Sequence, residues 1–127
     1  LWLPDWRGNN RMDSLRNIVR DGRMSLMFMV TGSSSVIRVN GAAVLSDDPD
    51  VTGAFVQSGK QPKSVIVVTV GEAYFQCAKA IMRSELWTGT AVDDLPTAGQ
   101  LLKEQQAKFD AQAYDDGYAE DAKAKMW

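Results

Sequence analysis

Apolar and polar positions recur with two different periods along this chain, and those periods divide it into elements. Leu1-Trp2-Leu3 reads as the tail of a strand, ended by Pro4-Asp5. Met12, Leu15, Ile18 and Val19 recur at helical spacing and stop at Asp21-Gly22, which predicts a helix. From Arg23 to Val30 the pattern switches to alternation: Met24, Leu26, Phe28 and Val30 interleave with Ser25, Met27 and Met29, a strand apolar on nearly both faces. Thr31-Gly32-Ser33-Ser34-Ser35 is a turn by composition, and Val36 to Leu45 reads as the returning strand of a hairpin. Gly41 inside that strand marks a bulge or a barrel corner. Ser46-Asp47-Asp48-Pro49-Asp50 predicts a capped helix over about Pro49 to Gln57, followed by a loop from Gly59 to Lys63.

Val65-Ile66-Val67-Val68 with Val70 is a β-branched run that predicts a strand buried on both sides. Tyr74 to Trp87 carries Phe75, Ala78, Met82 and Leu86 at helical spacing, which predicts a helix with those residues as its core face. Past Thr88, Pro96-Thr97 followed by Gln100 fits a capping box, and Leu101, Leu102, Gln105 and Phe109 continue a helix. Asp115-Asp116-Gly117 is expected to break it. Tyr118, Ala122 and Met126 then fall on a last, weakly amphipathic helix, an arm on the protein's own body or a partner's. Strand, basic loop, helix, hairpin, helix, strand and helix in that order suit a small antiparallel barrel with helices at its rim better than a doubly wound fold.

Composition narrows the function. With 127 residues the chain fits one domain with a core, and a net charge of −2 gives no basic footprint for nucleic acid. The absence of histidine excludes a Ser-His-Asp triad, a Cys-His dyad and histidine-ligated haem or zinc within this chain. A single cysteine, Cys77, allows no internal disulfide and suits a reducing compartment, so a cytoplasmic location is expected. Cys77 has no histidine partner and reads as a small packed hydrophobe rather than a nucleophile. No apolar run reaches membrane-spanning length. The start at Leu1, already inside a strand, is read as that of a fragment lacking upstream residues.

Two stretches carry candidate chemistry. Trp6-Arg7-Gly8-Asn9-Asn10-Arg11 is a glycine-hinged loop opening into the first helix, with Asn9 or Asn10 as the natural N-cap and Asp13 in the first turn. Unpaired amides at a helix start favour an anion, and two guanidinium groups at the same corner suit phosphate oxygens. An ordinary capped helix with solvated arginines gives the same pattern. Lys79, Arg83 and Trp87 are spaced by four, and two cations beside an indole suit an anionic or aromatic ligand, as they equally suit a solvated helix face. The serine-rich turn is either a flexible tip or a hydrogen-bonding wall beside a ligand. No set of metal ligands and no catalytic side chain is legible.

WRGNNRMDSLRNI, RMSLMFMV, VIRVNGAAVLSDDP and AYFQCAKAIMRSELW, in that order, resemble the FMN-binding split-barrel family related to pyridoxamine 5′-phosphate oxidase, in particular its bacterial branch of FMN-dependent enzymes. The likeness runs from about Leu3 to Trp87, and more weakly through Leu95-Pro96-Thr97. It implies an α+β, mainly β, antiparallel split barrel of six strands with peripheral helices, dimeric, with one FMN in each of two clefts between subunits. It assigns the phosphate to Arg7, Asn9, Asn10 and Arg11, the strand end beside the flavin ring to Leu3, Pro4 and Asp5, and a polar contact to Ser34 and Ser35. Lys79, Arg83 and Trp87 become cleft residues. Residues 1–95 would then be a partial barrel domain whose N-terminal strands are missing, and 96–127 a helical extension. The arginine-rich carboxyl end of true pyridoxamine phosphate oxidases is absent, so that activity is not expected. The lack of histidine argues against the haem-handling relatives. The expected function is an FMN-dependent oxidoreductase acting on an unidentified small molecule. The alternative is a non-catalytic flavin-binding or interaction protein with an incomplete barrel.

Overall fold

The computed structural model describes every residue except Asn9, Thr90, Ala91, Asp93, Met126 and Trp127. Its elements are β1 (Trp2–Pro4), α1 (Asp13–Asp21), β2 (Arg23–Met29), β3 (Val36–Ser46), α2 (Pro49–Thr52), β4 (Val65–Gln76), α3 (Lys79–Arg83), α4 (Ala98–Gln105) and α5 (Ala111–Lys125). They fall into two units, Leu1–Gly89 and Thr90–Trp127. No helix among the described residues is long and apolar enough to cross a membrane.

In the first unit the strands form one antiparallel sheet in the order β1-β4-β3-β2. Register sets Leu3 opposite Ile66 and Ile66 opposite Leu45, with Val68 opposite Ala43 and Leu26 opposite Val39. Alternation brings these apolar residues to one face. There Ile18 of α1 packs with Ala43 and Val68, ringed by Leu3, Met24, Leu26, Leu45 and Ile66. Burying one such isoleucine contributes roughly 1.5–3 kcal/mol. The helix ends where the sequence placed its stop: Gly22 adopts φ 73° as a left-handed cap, and its carbonyl accepts from the Ala43 amide at 2.6 Å. On the opposite face, at the β1 end, Trp2 meets Phe55 with ring centroids 6.4 Å apart, and Thr52, Pro62 and Val65 are buried.

Several expectations are corrected. β4 is a twelve-residue strand that runs through Tyr74 and Phe75, which pair with Arg38 and Ile37, so the helix expected over 74–87 does not form. Aromatic and β-branched side chains fit the pleated surface, and the partner strand decided an ambiguous apolar spacing. The helix begins only at Lys79 and lasts five residues. Phe75, Met82 and Leu86, expected as a core face, are exposed. The valine run is covered on both faces only as far as Val68, beyond which Thr69 and Val70 are exposed. α2 stops at Thr52 rather than Gln57, because the chain turns at Gly53 and carries Phe55 to Trp2. Its cap is as expected, with Asp48 Oδ1 accepting from the Asp50 amide at 2.9 Å.

The second unit pairs α4 with α5. Thr97 and Gln100 form the capping box, with bonds of 3.1 and 2.8 Å. α4 ends at Gln105, so Phe109 lies between the helices, its ring 5.4 Å from that of Tyr114. α5 continues unbroken through Asp115-Asp116-Gly117. Both carboxylates are occupied: Asp115 accepts from Thr97 Oγ1 and the Gly99 amide, and Asp116 from Gln112 Nε2. Met126, expected on the last helical stripe, lies outside the described residues.

The bulge expected near Gly41 is present: Asn40 faces Glu72, Gly41 faces Val70, and Gly71 is the extra residue. A Cβ on Gly41 would stand 2.1 Å from the Thr69 carbonyl oxygen. Gly41→Ala is therefore expected to lower stability in urea unfolding by about 1–3 kcal/mol, the range for overpacking. Gly117→Ala, in a helix with nothing within 4 Å of the new methyl, should instead raise it by up to about 1 kcal/mol. An unchanged Gly41→Ala midpoint would show that the bulge yields at no cost.

Candidate functional site

The end of β1 positions the first group of candidate residues. Pro4 pairs with Val65, and the Asp5 amide donates to the Ser64 carbonyl at 2.9 Å while Asp5 Oδ2 accepts from Ser64 Oγ at 3.3 Å. Asp5 is thus engaged in pinning the strand end. Arg7, Gly8, Asn10 and Arg11 follow on the surface, all exposed, and Asn9 lies outside the described residues. The expected asparagine cap is not made. Asn10 takes φ 60°, a left-handed turn that delays the helix, so the N-cap falls on Met12, which has no side-chain oxygen and makes no cap bond. The first-turn amides of α1 are left without a side-chain acceptor of that kind, next to two guanidinium-bearing residues. Asp13 in the first turn offsets part of that positive field. Arg7 has no acidic partner among the described residues.

A second group gathers at the other end of the sheet. Trp87 Nε1 donates to the Ser33 carbonyl at 2.7 Å, tying the segment after α3 to the turn between β2 and β3. A cleft of about 290 Å³ lies there, lined by Gly32, Ser34, Met82, Glu85, Leu86 and Trp87 among others. The Ser35 amide donates to Ser33 Oγ at 3.1 Å, so the serine-rich turn carries its own internal bond as well as the indole contact. Lys79 and Arg83 are exposed at the two ends of α3, and neither lines the cleft. Trp87 lies beyond the helix, so the spacing by four does not put the three on one helical face. Cys77, expected to be packed, is exposed.

The structure therefore brings Ser34 to Trp87 and keeps the Pro4–Asp5 strand end apart from them within one chain. That strand end leaves the sheet beside Val65, and the Ser34–Trp87 cleft lies beyond the Val36–Gln76 pair. The twelve residues of β4 between them span roughly 35–40 Å at ~3.3 Å per residue.

Sequence reasoning missed a polar row on the sheet face opposite Ile18. Arg38 donates to Ser25 Oγ at 3.3 Å and to Met27 Sδ at 3.6 Å, and Asn40 Nδ2 donates to Glu72 Oε2 at 2.9 Å. Arg38 Nε is buried without a partner. The signal was present, since Arg38 and Asn40 alternate with Ile37, Val39 and Gly41. A larger open cleft of about 590 Å³ adjoins this row, lined by Asp21, Arg23, Met24, Ser25, Asn40 and Gly41. Arg23 Nε donates to Asp21 Oδ1 at 2.7 Å; this bond, with the adjacent positive charge, holds the Asp21 carboxyl below its usual range and raises Arg23. Both groups are stabilised in their charged forms, the opposite of what a general acid needs. Among the described residues no three His, Cys, Asp or Glu side chains gather as a metal site.

No protein-family model, no curated protein and no solved structure matches this chain.

The Trp87 bond gives a direct test of the second group. Trp87→Phe keeps an aromatic ring but removes the donor to Ser33, which should cost about 0.5–1.5 kcal/mol, the net value of one such bond. Hydrogen exchange at the Ser34 and Ser35 amides should quicken while the Val67 amide, in the central β3–β4 ladder, stays as protected as before. Unchanged exchange at the turn would mean that the indole does not hold it.

Proposed function

We propose that the chain is a subunit of an FMN-dependent oxidoreductase of the pyridoxamine 5′-phosphate oxidase-like class, a split barrel acting as a homodimer on a small-molecule substrate. The observation that carries this reading is the start of α1, where first-turn amides without a side-chain cap follow a loop that carries Arg7 and Arg11. That donor set fits a phosphate monoester: backbone N–H groups supply directed bonds, and guanidinium forks supply charge. Bound FMN would supply the redox chemistry, which fits a chain without histidine.

The remaining assignments follow from position. Arg7, Asn10 and Arg11 hold the phosphate, with Asn9 in the same loop, while Pro4 and Asp5 fix the strand end from which the loop departs. Ser34, Ser35 and Trp87 offer a polar edge and an apolar wall at the far end of the sheet, and Lys79 and Arg83 add positive charge to the segment that leads to Trp87. One flavin mononucleotide does not reach from the first group to the second along β4. Two copies in opposite orientation, each lending one end of its sheet, would bring the groups together, and this separation supports the homodimer.

A second reading has its own observation. Among the described residues the sheet has four strands, and Met27, Phe28, Met29, Ile37, Val70 and Phe75 on it are exposed, as expected of a non-catalytic flavin-binding or interaction protein with an incomplete barrel. A yellow protein that NADH or NADPH bleaches with turnover supports the enzyme, and a bound flavin without turnover supports this alternative.

Arg11→Ala tests the phosphate clamp. Loss of a hydrogen bond to a charged group costs about 1.5–3 kcal/mol, so FMN affinity measured by calorimetry should fall roughly tenfold to hundredfold. Affinity for riboflavin, which lacks the phosphate, should barely change. Equal losses for both ligands would mean that Arg11 supports the fold, and no loss would remove it from the site.

A further inference from the structure

We infer that the cleft beside the β2–β3 turn binds a small organic ammonium ion, held by the Glu85 carboxylate against the Trp87 indole. Among the described residues Glu85 is the one charged side chain lining this cleft, and Ile81, Met82 and Leu86 make its apolar wall. Trp87 Nε1 is spent on the Ser33 carbonyl at 2.7 Å, so the tryptophan offers a ligand its ring and no donor. The Glu85 carboxylate has no ion pair and no hydrogen bond among the described residues, and it is exposed to whatever enters. Lys79 and Arg83 lie outside the cleft.

The backbone at Glu85 is a poor choice for stability alone. The chain leaves α3 through two bonds of 3.3 Å, from the Leu86 amide to the Ile81 carbonyl and from the Glu85 amide to the Met82 carbonyl. That nested pair is the Schellman helix ending, whose residue just past the cap is left-handed and is usually glycine. A Cβ is disfavoured in that conformation. At the end of α1 the corresponding residue is Gly22, with φ 73°. At the end of α3 it is Glu85, with φ 49°. Side chains held in such a conformation cluster at ligand clamps, where the strain is retained for function. The apolar contact that accompanies this ending joins the residues in the positions of Ile81 and Leu86, and both line the cleft. One local motif thus supplies the wall and aims the carboxylate's residue.

The lining selects the charge of the ligand. A cation gains from the carboxylate and from the indole ring, the best of the aromatic partners for a cation, and Ser34 adds a hydroxyl. An anion would meet Glu85 with no lining cation to offset it. A neutral molecule would displace water from the carboxylate without replacing its bonds. The volume of about 290 Å³ lies at the small end for ligand sites, which suits an ammonium group with one apolar arm. This inference deepens the function proposed above by naming the substrate class, and it rests on that reading only for what the bound molecule undergoes.

The test uses three probes of one shape: benzylamine, which is a cation at pH 7, benzyl alcohol, which is neutral, and benzoate, an anion. Benzylamine should move the Trp87 indole N–H resonance saturably, with that resonance identified by its loss in Trp87→Phe. Benzyl alcohol should bind more weakly and benzoate should leave the resonance in place. Glu85→Gln should weaken benzylamine binding about fivefold or more, the upper end for a solvent-accessible ion pair, and leave benzyl alcohol unchanged. Glu85→Gly should weaken benzylamine equally while raising the urea midpoint, because glycine suits the left-handed position. No shift with benzylamine up to about 10 mM overturns the inference, as do equal affinities for the amine and the alcohol. A Glu85→Gly chain less stable than the wild type also overturns it, giving the glutamate a structural role. Benzylamine binding by a chain with no affinity for FMN keeps the site and removes the flavin reading, whereas FMN affinity without benzylamine binding does the reverse.

Discussion

The packing of Ile18 on Ala43 and Val68 is the contact on which the first unit depends, because it joins α1 to the two longest strands. α1 is short, and a nine-residue helix is marginal in water without such a partner. Its two ends are treated differently. The C-terminus is held by the left-handed Gly22 and the bond to Ala43, while the N-terminus is left to Met12, which cannot cap. A helix fixed at its base and open at its tip presents that tip's amides in a definite direction. The position of the Arg7–Arg11 loop follows from this packing and from the Asp5–Ser64 bonds that end β1.

How much of this was legible in the sequence depends on whether a pattern was local. α1, the β2–β3 hairpin, the glycine at the bulge and the Thr97–Gln100 capping box were all readable, because each is set by residues within a turn or two of one another. The length of β4 was not. Phe75, Ala78 and Met82 fall at helical spacing by chance, and only pairing of Tyr74 and Phe75 with Arg38 and Ile37, more than thirty residues away, settles the matter. Asp115-Asp116-Gly117 failed as a break for a similar reason, since the Asp115 carboxylate is taken up by Thr97 and Gly99 of another helix. At the candidate site, the loop and its arginines were evident from residue type, but the loss of the asparagine cap hinges on the backbone angle of Asn10. The wide separation of the two residue groups follows from sheet register, to which spacing along the chain is blind.

The clearest electrostatic effect in the first unit falls on one exposed ion pair. The shifts at Asp21 and Arg23 favour their charged forms on an exposed corner, where side-chain exposures of 50% and 85% leave the pair screened by solvent. Arg38 is the exception in placement: it donates to a serine hydroxyl and a thioether, and its Nε is shut away from any acceptor. An arginine held this way contributes its stem to packing as well as its charge. Its neighbour Glu72 is already engaged by Asn40, so the polar row is organised as separate pairs.

The Asp115 carboxylate has an evolutionary corollary. It accepts from Gly99 and Thr97 at once, and a methyl group on Gly99 would come within 2.6 Å of its Oδ2 and 2.4 Å of the Ala111 carbonyl oxygen. Positions 99 and 115 are therefore not free to drift independently. A larger residue at 99 becomes tolerable only after 115 has shortened or turned away and α5 has shifted at Ala111, and that intermediate leaves the Thr97 hydroxyl and the Gly99 amide without their acceptor. Across descendants of this sequence, substitutions at these two sites should appear together or not at all, a covariation imposed by one side chain that fills the space where another would grow.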